Sequence, residues 1–253
     1  MEYQMSIFDY SFDDMGPSEK SDYKIKTKVR LIELFSGIGS QAMALKRLGV
    51  PFEYYKAVEV DKYAIASYNA IHGTDIKPTN IEDISGSDLG IVDLDKYTYL
   101  MVYSFPCQDL SIAGQGKGMA KGSDTRSGLL WEVERLLSEV ENLPQVLLME
   151  NVSQVHSKRH INEFEKWISC LESMGYSNYW QDLNAKDYGV AQNRNRTYMV
   201  SILGDGKYKF PEPIELNKVM INYLEETVDD KFYVTSPKAL ELIQRLREES
   251  PNG

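Results

Sequence analysis

The sequence predicts an α/β domain built on a mostly parallel, twisted sheet with helices on both faces. Two observations carry that prediction. From Val29 onward, short apolar runs alternate with amphipathic stretches. Glycine-rich or polar segments then fall where the apolar runs stop, at Gly37, Cys107 and Glu150. Strand and helix in strict alternation make a parallel sheet, and ligands bind at the carboxyl ends of its strands.

The strand-like runs are Val29–Phe35, Tyr54–Val60, Tyr99–Phe105, Gln145–Glu150, Tyr176–Leu183 and Arg196–Ile202. The helix-like stretches are Ser40–Leu48, Lys62–His72, Gly128–Val140 and Lys158–Met174. Within Gly128–Val140 the helical reading rests on Leu129, Val133, Leu136, Leu137 and Val140, which recur at helical spacing. Residues 1–27 read as an acidic leader without sustained periodicity, 28–210 as the alternating domain, and 211–253 as a linker with a helix near Ser236–Glu248.

Of the 253 residues, 42% are hydrophobic and 26% charged, which points to a globular chain rather than a disordered one. No apolar run approaches the ~20 residues a membrane span needs. The first residues lack the basic start and apolar core of a secretory signal. With only Cys107 and Cys170, a reduced, cytoplasmic protein is expected. The net charge of −10 counts against a nucleic-acid partner, although a local basic cleft can sit on an acidic body.

Four segments carry chemistry. In Leu31–Gly49 an apolar strand runs into Gly37-Ile38-Gly39 and then a helix, and Glu59 follows at the end of the next strand. Glycines let backbone approach a ligand, and a carboxylate at that spacing can accept hydrogen bonds from ribose hydroxyls. On its own this pattern fits a nicotinamide dinucleotide as well as S-adenosylmethionine. In Tyr103–Gly118, Cys107 follows Pro106 at a strand end and precedes Gln108, Asp109, Ser111 and a glycine-rich loop, which is unlike a core cysteine. Cys170, between apolar neighbours in a helix, reads as structural. In Val146–Val152, Glu150 ends an apolar strand, where a partly apolar pocket favours a carboxyl that holds its proton. In Tyr188–Val200, Arg194 and Arg196 share a face if that stretch is extended, and guanidinium groups suit phosphate or carbonyl oxygens. No metal ion is expected.

Together these segments resemble the DNA (cytosine-5)-methyltransferase family, over about Val29 to Ile202. FSGIGS at residues 35–40 is similar to the family's cofactor loop, AVEVDKYA at 57–64 to its ribose-binding segment, and EDI at 82–84 to its adenine-binding segment. PCQ at 106–108 resembles its nucleophile motif. RSGLLW at 126–131, ENV at 150–152 and QNRNR at 192–196 resemble the remaining central motifs. PCQ, ENV and Q-x-R-x-R in this order are jointly specific, and a nicotinamide enzyme needs none of them.

The resemblance implies a Rossmann-like, S-adenosylmethionine-dependent methyltransferase fold. It implies Cys107 as the nucleophile, Glu150 at the cytosine N3/N4 edge, Arg196 at O2 and Arg194 in support. It implies cofactor contacts by Phe35, Gly37, Gly39, Glu59, Val60, Asp83, Ile84 and Leu129, and contacts to double-stranded DNA by Gln108, Ser111 and Gln192. After QNRNR nothing resembles the family's target-recognition region or its last two motifs, so the larger subunit of a split enzyme, completed by a second chain, is expected. A truncated cofactor-binding fragment and a binding module with a dead site are the alternatives. An RNA cytosine-5 methyltransferase is another. The relatives that act on transfer RNA carry Pro-Pro-Cys where this chain has Phe105-Pro106-Cys107, which favours DNA. A prokaryotic or phage setting, in a restriction–modification system, is the expected context.

Overall fold

The structure, a computed structural model, describes residues 24–110, 118–123, 125–217 and 220–249. The chain divides into two compact units between Leu216 and Asn217. The first unit holds six strands: β1 (Lys28–Leu34), β2 (Phe52–Val58), β3 (Tyr97–Tyr103), β4 (Val146–Asn151), β5 (Tyr176–Asn184) and β6 (Asn195–Leu203). Its helices are α1 (Ser40–Arg47), α2 (Lys62–His72), α3 (Leu130–Glu139) and α4 (Ile161–Ser173). The second unit contains α5 (Pro237–Glu249).

The strands form one sheet in the order β2-β1-β3-β4-β6-β5. β2, β1, β3 and β4 pair in parallel, as the alternating sequence demands. β6 departs from the all-parallel pattern. It lies antiparallel between β4 and β5. The reason is the short connection: residues 185–194 are too few for a crossover helix, so the chain must turn straight back. One consequence matters for the site. The first residues of β6 lie at the same sheet edge as the last residues of the parallel strands.

Pleat alternation sorts the core. Ile32, Met101, Leu147 and Met199 sit on one face with Leu34, Tyr103 and Met149, and are covered by α3 and α4. Helical spacing supplies the cover: Leu130, Val133, Leu136 and Leu137 from α3, and Phe164, Trp167 and Leu171 from α4. Leu31 and Val102 face the other way and meet Ala42 and Leu45 of α1. Farther along, Val146, Val200 and Ile202 pack with Tyr208 and Phe210. This contact, with the hydrogen bond from Ile214 N–H to the Asp187 carbonyl (2.8 Å), keeps residues beyond 210 in the first unit.

The ends of the elements match their sequence. Asp61 caps α2 by accepting from the Tyr63 N–H (2.7 Å) and the Ala64 N–H (3.3 Å), and Gly73 ends it in the left-handed conformation (φ 67°). Among the described residues no helix is long and apolar enough to cross a membrane.

The Trp167 indole is fully buried, donates to the Tyr103 hydroxyl (3.1 Å) and meets Trp131 edge-on at 6.0 Å. Trp167→Ala is expected to lower stability by about 3–5 kcal/mol in chemical denaturation, from the cavity alone. A change near zero would contradict this account of the core.

Candidate active site

Two clusters of side chains form along the carboxyl edge of the sheet, on adjacent strands.

The first begins at the end of β1. Phe35 turns the chain out of the strand with φ 56°, a left-handed conformation that is uncommon for a side-chain-bearing residue and marks a fixed turn. The Ser36 N–H donates to the Val58 carbonyl (3.1 Å), which ties the turn to β2. Gly39 (φ 77°) opens α1, and a Cβ there would lie 2.3 Å from His72 Nε2, so only glycine fits. Gly37 faces open space: a Cβ added to it would meet nothing within 4 Å. At the end of β2 the Glu59 carboxylate accepts from the Gly37 N–H (3.0 Å) and the Asp61 N–H (2.9 Å). The acid and the glycine loop are therefore one hydrogen-bonded unit. Through its carbonyl Glu59 also accepts from the Thr79 N–H (2.8 Å), which holds the segment leading to Asp83 alongside. Asp83 and Val60 are exposed, whereas Phe35, Ile84 and Leu129 are part-buried against the main core.

Glu33, which the sequence reading passed over, supports this loop from inside. It is buried in β1 and accepts from the Tyr68 hydroxyl (2.7 Å) and the Ala42 N–H in the first turn of α1 (3.3 Å). A carboxylate there complements the positive end of the helix. Burial pushes the Glu33 carboxyl above its ordinary range, and the two donors offset part of that. The clue was available: it is the lone acid within an apolar strand.

The second cluster lies at the ends of β3 and β4 and the start of β6. Cys107 is part-buried, and its carbonyl accepts from the Leu110 N–H (3.1 Å) in a tight turn. That turn is fastened by Asn151 and Ser127, to which the sequence reading gave no role of their own. Asn151 Nδ2 donates to the Phe105 carbonyl (3.0 Å), Ser127 Oγ donates to the Pro106 carbonyl (2.7 Å), and the Ser127 N–H donates to Asp109 (3.3 Å). The Gly118 N–H donates to the Asp109 carbonyl (3.0 Å). Ser111 lies outside the described residues. Gln108 and Gln192 are both exposed.

Glu150 ends β4 with its carboxylate 3.2 Å from Arg196 Nε and 3.7 Å from Arg194 Nη2. Its surroundings are thus ionic, not the apolar pocket expected from the flanking sequence. Arg194 precedes β6, yet the turn holds it: the Asn184 side chain accepts from its N–H (3.0 Å) and its carbonyl accepts from the Ala185 N–H (3.0 Å). Cys170 differs from Cys107. It packs against the core in α4, and burial, then the Glu134 charge, pushes its thiol up to about 11, away from a reactive thiolate.

Comparison with known proteins gives a consistent result. The profile of the family described as C-5 cytosine-specific DNA methylase matches residues 29–252. The chain is similar to the type II methyltransferase M2.ScrFI of Lactococcus lactis subsp. cremoris, 33% identical over 258 residues, covering 81% of this chain and 70% of that protein. It is likewise similar to the orphan methyltransferase M.SssI of Spiroplasma monobiae, 35% identical over 257 residues, with 76% and 66% covered. The chain thus spans about two thirds of the length of these curated relatives. The fold is that of S. pombe Dnmt2 methyltransferase, with a TM-score of 0.66 at 22% identity, covering 87% of this chain and 66% of that one. Entamoeba histolytica methyltransferase EhMeth also has a TM-score of 0.66 at 22% identity, covering 83% and 64%.

Glu33 yields a pH test. An acid whose pKa is higher folded than unfolded stabilises the fold only while protonated. That stability is present below the unfolded pKa and is lost as pH rises through the folded one. Glu33→Gln mimics the protonated form at every pH. Its stability relative to wild type is expected to shift in its own favour as pH rises above the ordinary carboxyl value of about 4. Denaturation across that range measures it, and a difference independent of pH would contradict the burial argument.

Proposed function

The chain belongs to the C-5 cytosine-specific DNA methylase family, and from that membership we infer that it carries the catalytic part of a DNA cytosine-5 methyltransferase of a restriction–modification system. The observation that carries the reading at residue level is the convergence of the Cys107 turn, the Glu150 carboxylate and both guanidinium groups at one sheet edge.

S-adenosylmethionine is the proposed methyl donor, and it supplies a methyl group made electrophilic by a positively charged sulfur. The residues at the ends of β1 and β2 suit it. There is open space before Gly37, an acid at Glu59, and a buried Ser36 hydroxyl that has no hydrogen-bond partner. Phe35, Ile84 and Leu129 would offer apolar surface to the adenine, Val60 would flank it, and Asp83 would accept from its amino group. Gly37 and Gly39 would admit the methionine part.

On the substrate side, the target cytosine must leave the duplex stack to reach these groups. The Cys107 sulfur would add to ring carbon C6 as Glu150, exchanging its contact with Arg196 for the base edge, passes a proton to N3, so that charge moves to C5 and makes it nucleophilic. Arg196 would hold O2, with Arg194 in support. Once C5 had taken the methyl group, with the donor's sulfur leaving as a neutral thioether, a base would remove the C5 proton, the C6–S bond would break to return the Cys107 thiolate, and N3 would give its proton back to Glu150. Gln108, Ser111 and Gln192 are the proposed DNA contacts. Reading a sequence takes several side chains placed in a groove. We assign that reading surface to a second chain, and the enzyme to the cytoplasm, where DNA and cofactor both occur.

The test joins binding to activity. The purified chain is expected to bind S-adenosylhomocysteine in calorimetry, and Glu59→Ala to weaken binding by about 1.5–3 kcal/mol, the scale of hydrogen bonds to a charged group. With a chain supplying the recognition region, it is expected to place 5-methylcytosine in plasmid DNA. A folded chain with no cofactor binding, or efficient site-specific methylation by the chain alone, would overturn the corresponding part of the proposal.

A further inference from the structure

Arg196 reaches Glu150 on one face of the sheet. On the opposite face its two neighbours in β6 are held by a polar ring that the proposed reaction does not use. Asp182 lies in β5, directly across from Thr197. Its Oδ1 accepts from Thr197 Oγ1 (2.6 Å) and pairs with His156 Nε2 (3.0 Å). Asn195 Nδ2 donates to Ser153 Oγ (2.8 Å), and Ser153 adds a little to the groups that favour the Asp182 charge. Ser153 and His156 belong to the single turn that follows Glu150-Asn151-Val152. The ring therefore ties the segment leaving β4 to the segment entering β6.

Alternation makes this specific. Asn195 and Thr197 point to the ring, and Arg196 between them points the other way. Thr197 is fully buried, and Asp182 is only part-exposed. The His156 ring is packed 4.8 Å from the Trp180 ring and 6.2 Å from Phe164, which fixes its direction. Burial works against the Asp182 charge, but the Thr197 and His156 donors more than offset it and hold the carboxyl below its usual range.

We propose that Asp182 is a positioning residue for Arg196: through Thr197, Ser153 and His156 it locks the first residues of β6 so that the Arg196 guanidinium meets Glu150. The ring fixes the backbone on both sides of Arg196, and the arginine then has one direction to point. Without the ring the antiparallel ladder still pairs, but the start of β6 is free to fray, as strand ends do. That Arg196 touches the base rests on the function proposed above. The positioning itself does not.

The test reads the arginine directly in the full chain. The side-chain Nε–H signal of Arg196 in a nitrogen–proton spectrum, assigned by its disappearance in Arg196→Lys, is expected to be protected from solvent exchange in the wild type. Asp182→Ala is expected to lose that protection, and Asp182→Asn, which keeps the acceptor oxygen, to retain it. General destabilisation would lower the melting temperature without this pattern. An Arg196 signal unchanged in folded Asp182→Ala would overturn the proposal. Should Asp182→Ala not fold, Thr197→Val decides: loss of protection supports the ring, and unchanged protection overturns it. In the methyl-transfer assay Asp182→Ala is expected to lower kcat by roughly 10-fold or more while KM for the cofactor stays unchanged. Lost protection with full turnover would uphold the positioning and count against the role of Arg196 at the base.

Discussion

The antiparallel insertion of β6 is the constraint on which the catalytic edge depends. A wholly parallel sheet would present only strand ends at that edge. By reversing one strand, the chain brings a strand beginning there, and with it Arg194 and Arg196. The Glu150–Arg196 pair then joins the two directions. Both partners are mostly buried, their side chains being 19% and 23% exposed, so each charge relies on the other. Such a pair adds little net stability, but removing one partner leaves a charge without compensation. Its value lies in fixing geometry. The same edge holds the Cys107 turn in place through the Asn151 amide, which bridges from the end of β4 to the end of β3.

The glycine loop obeys a related logic. Backbone that approaches a ligand closely cannot also be held by side chains packed over it. Here it is held from behind and from the side: Glu33 from within the core, His72 Nε2 at the Ile38 carbonyl (3.0 Å), and Glu59 at the Gly37 N–H. The front of Gly37 stays open. Because β1 is paired with both β2 and β3, this loop and the Cys107 turn emerge from adjacent strands. A methyl donor and a target base can thus be brought to one place without a long reach.

Much of this was legible in the sequence. Each strand and helix of the first unit was visible as an apolar run or a helical period, because buried parallel strands are continuously apolar and covering helices carry a stripe. Reversal of β6 was not, since strand direction leaves no mark on periodicity; only the short stretch after β5 hinted at it. Gly39 could be read as required from its motif, although the steric reason, the ring of His72, lies a whole strand and helix away. The ionic surroundings of Glu150 escaped notice because the flanking residues are apolar and the arginines come from a distant segment. Asn151, Ser127 and Asp182 had no role assigned for the same reason. Their partners are backbone carbonyls or side chains brought close only by folding.

The central claim is that Cys107 is the group that bonds to the base, with Glu150 and Arg196 arranged around that event. The most direct measurement uses DNA carrying 5-fluorocytosine at the target position, incubated with cofactor and the completed enzyme. Fluorine at C5 cannot leave as a proton does, so the enzyme remains bonded to C6. Peptide mass spectrometry is expected to find the nucleotide on Cys107, with no adduct in Cys107→Ser. An adduct mapped to Cys170, or methyl transfer that survives Cys107→Ser, would contradict the account.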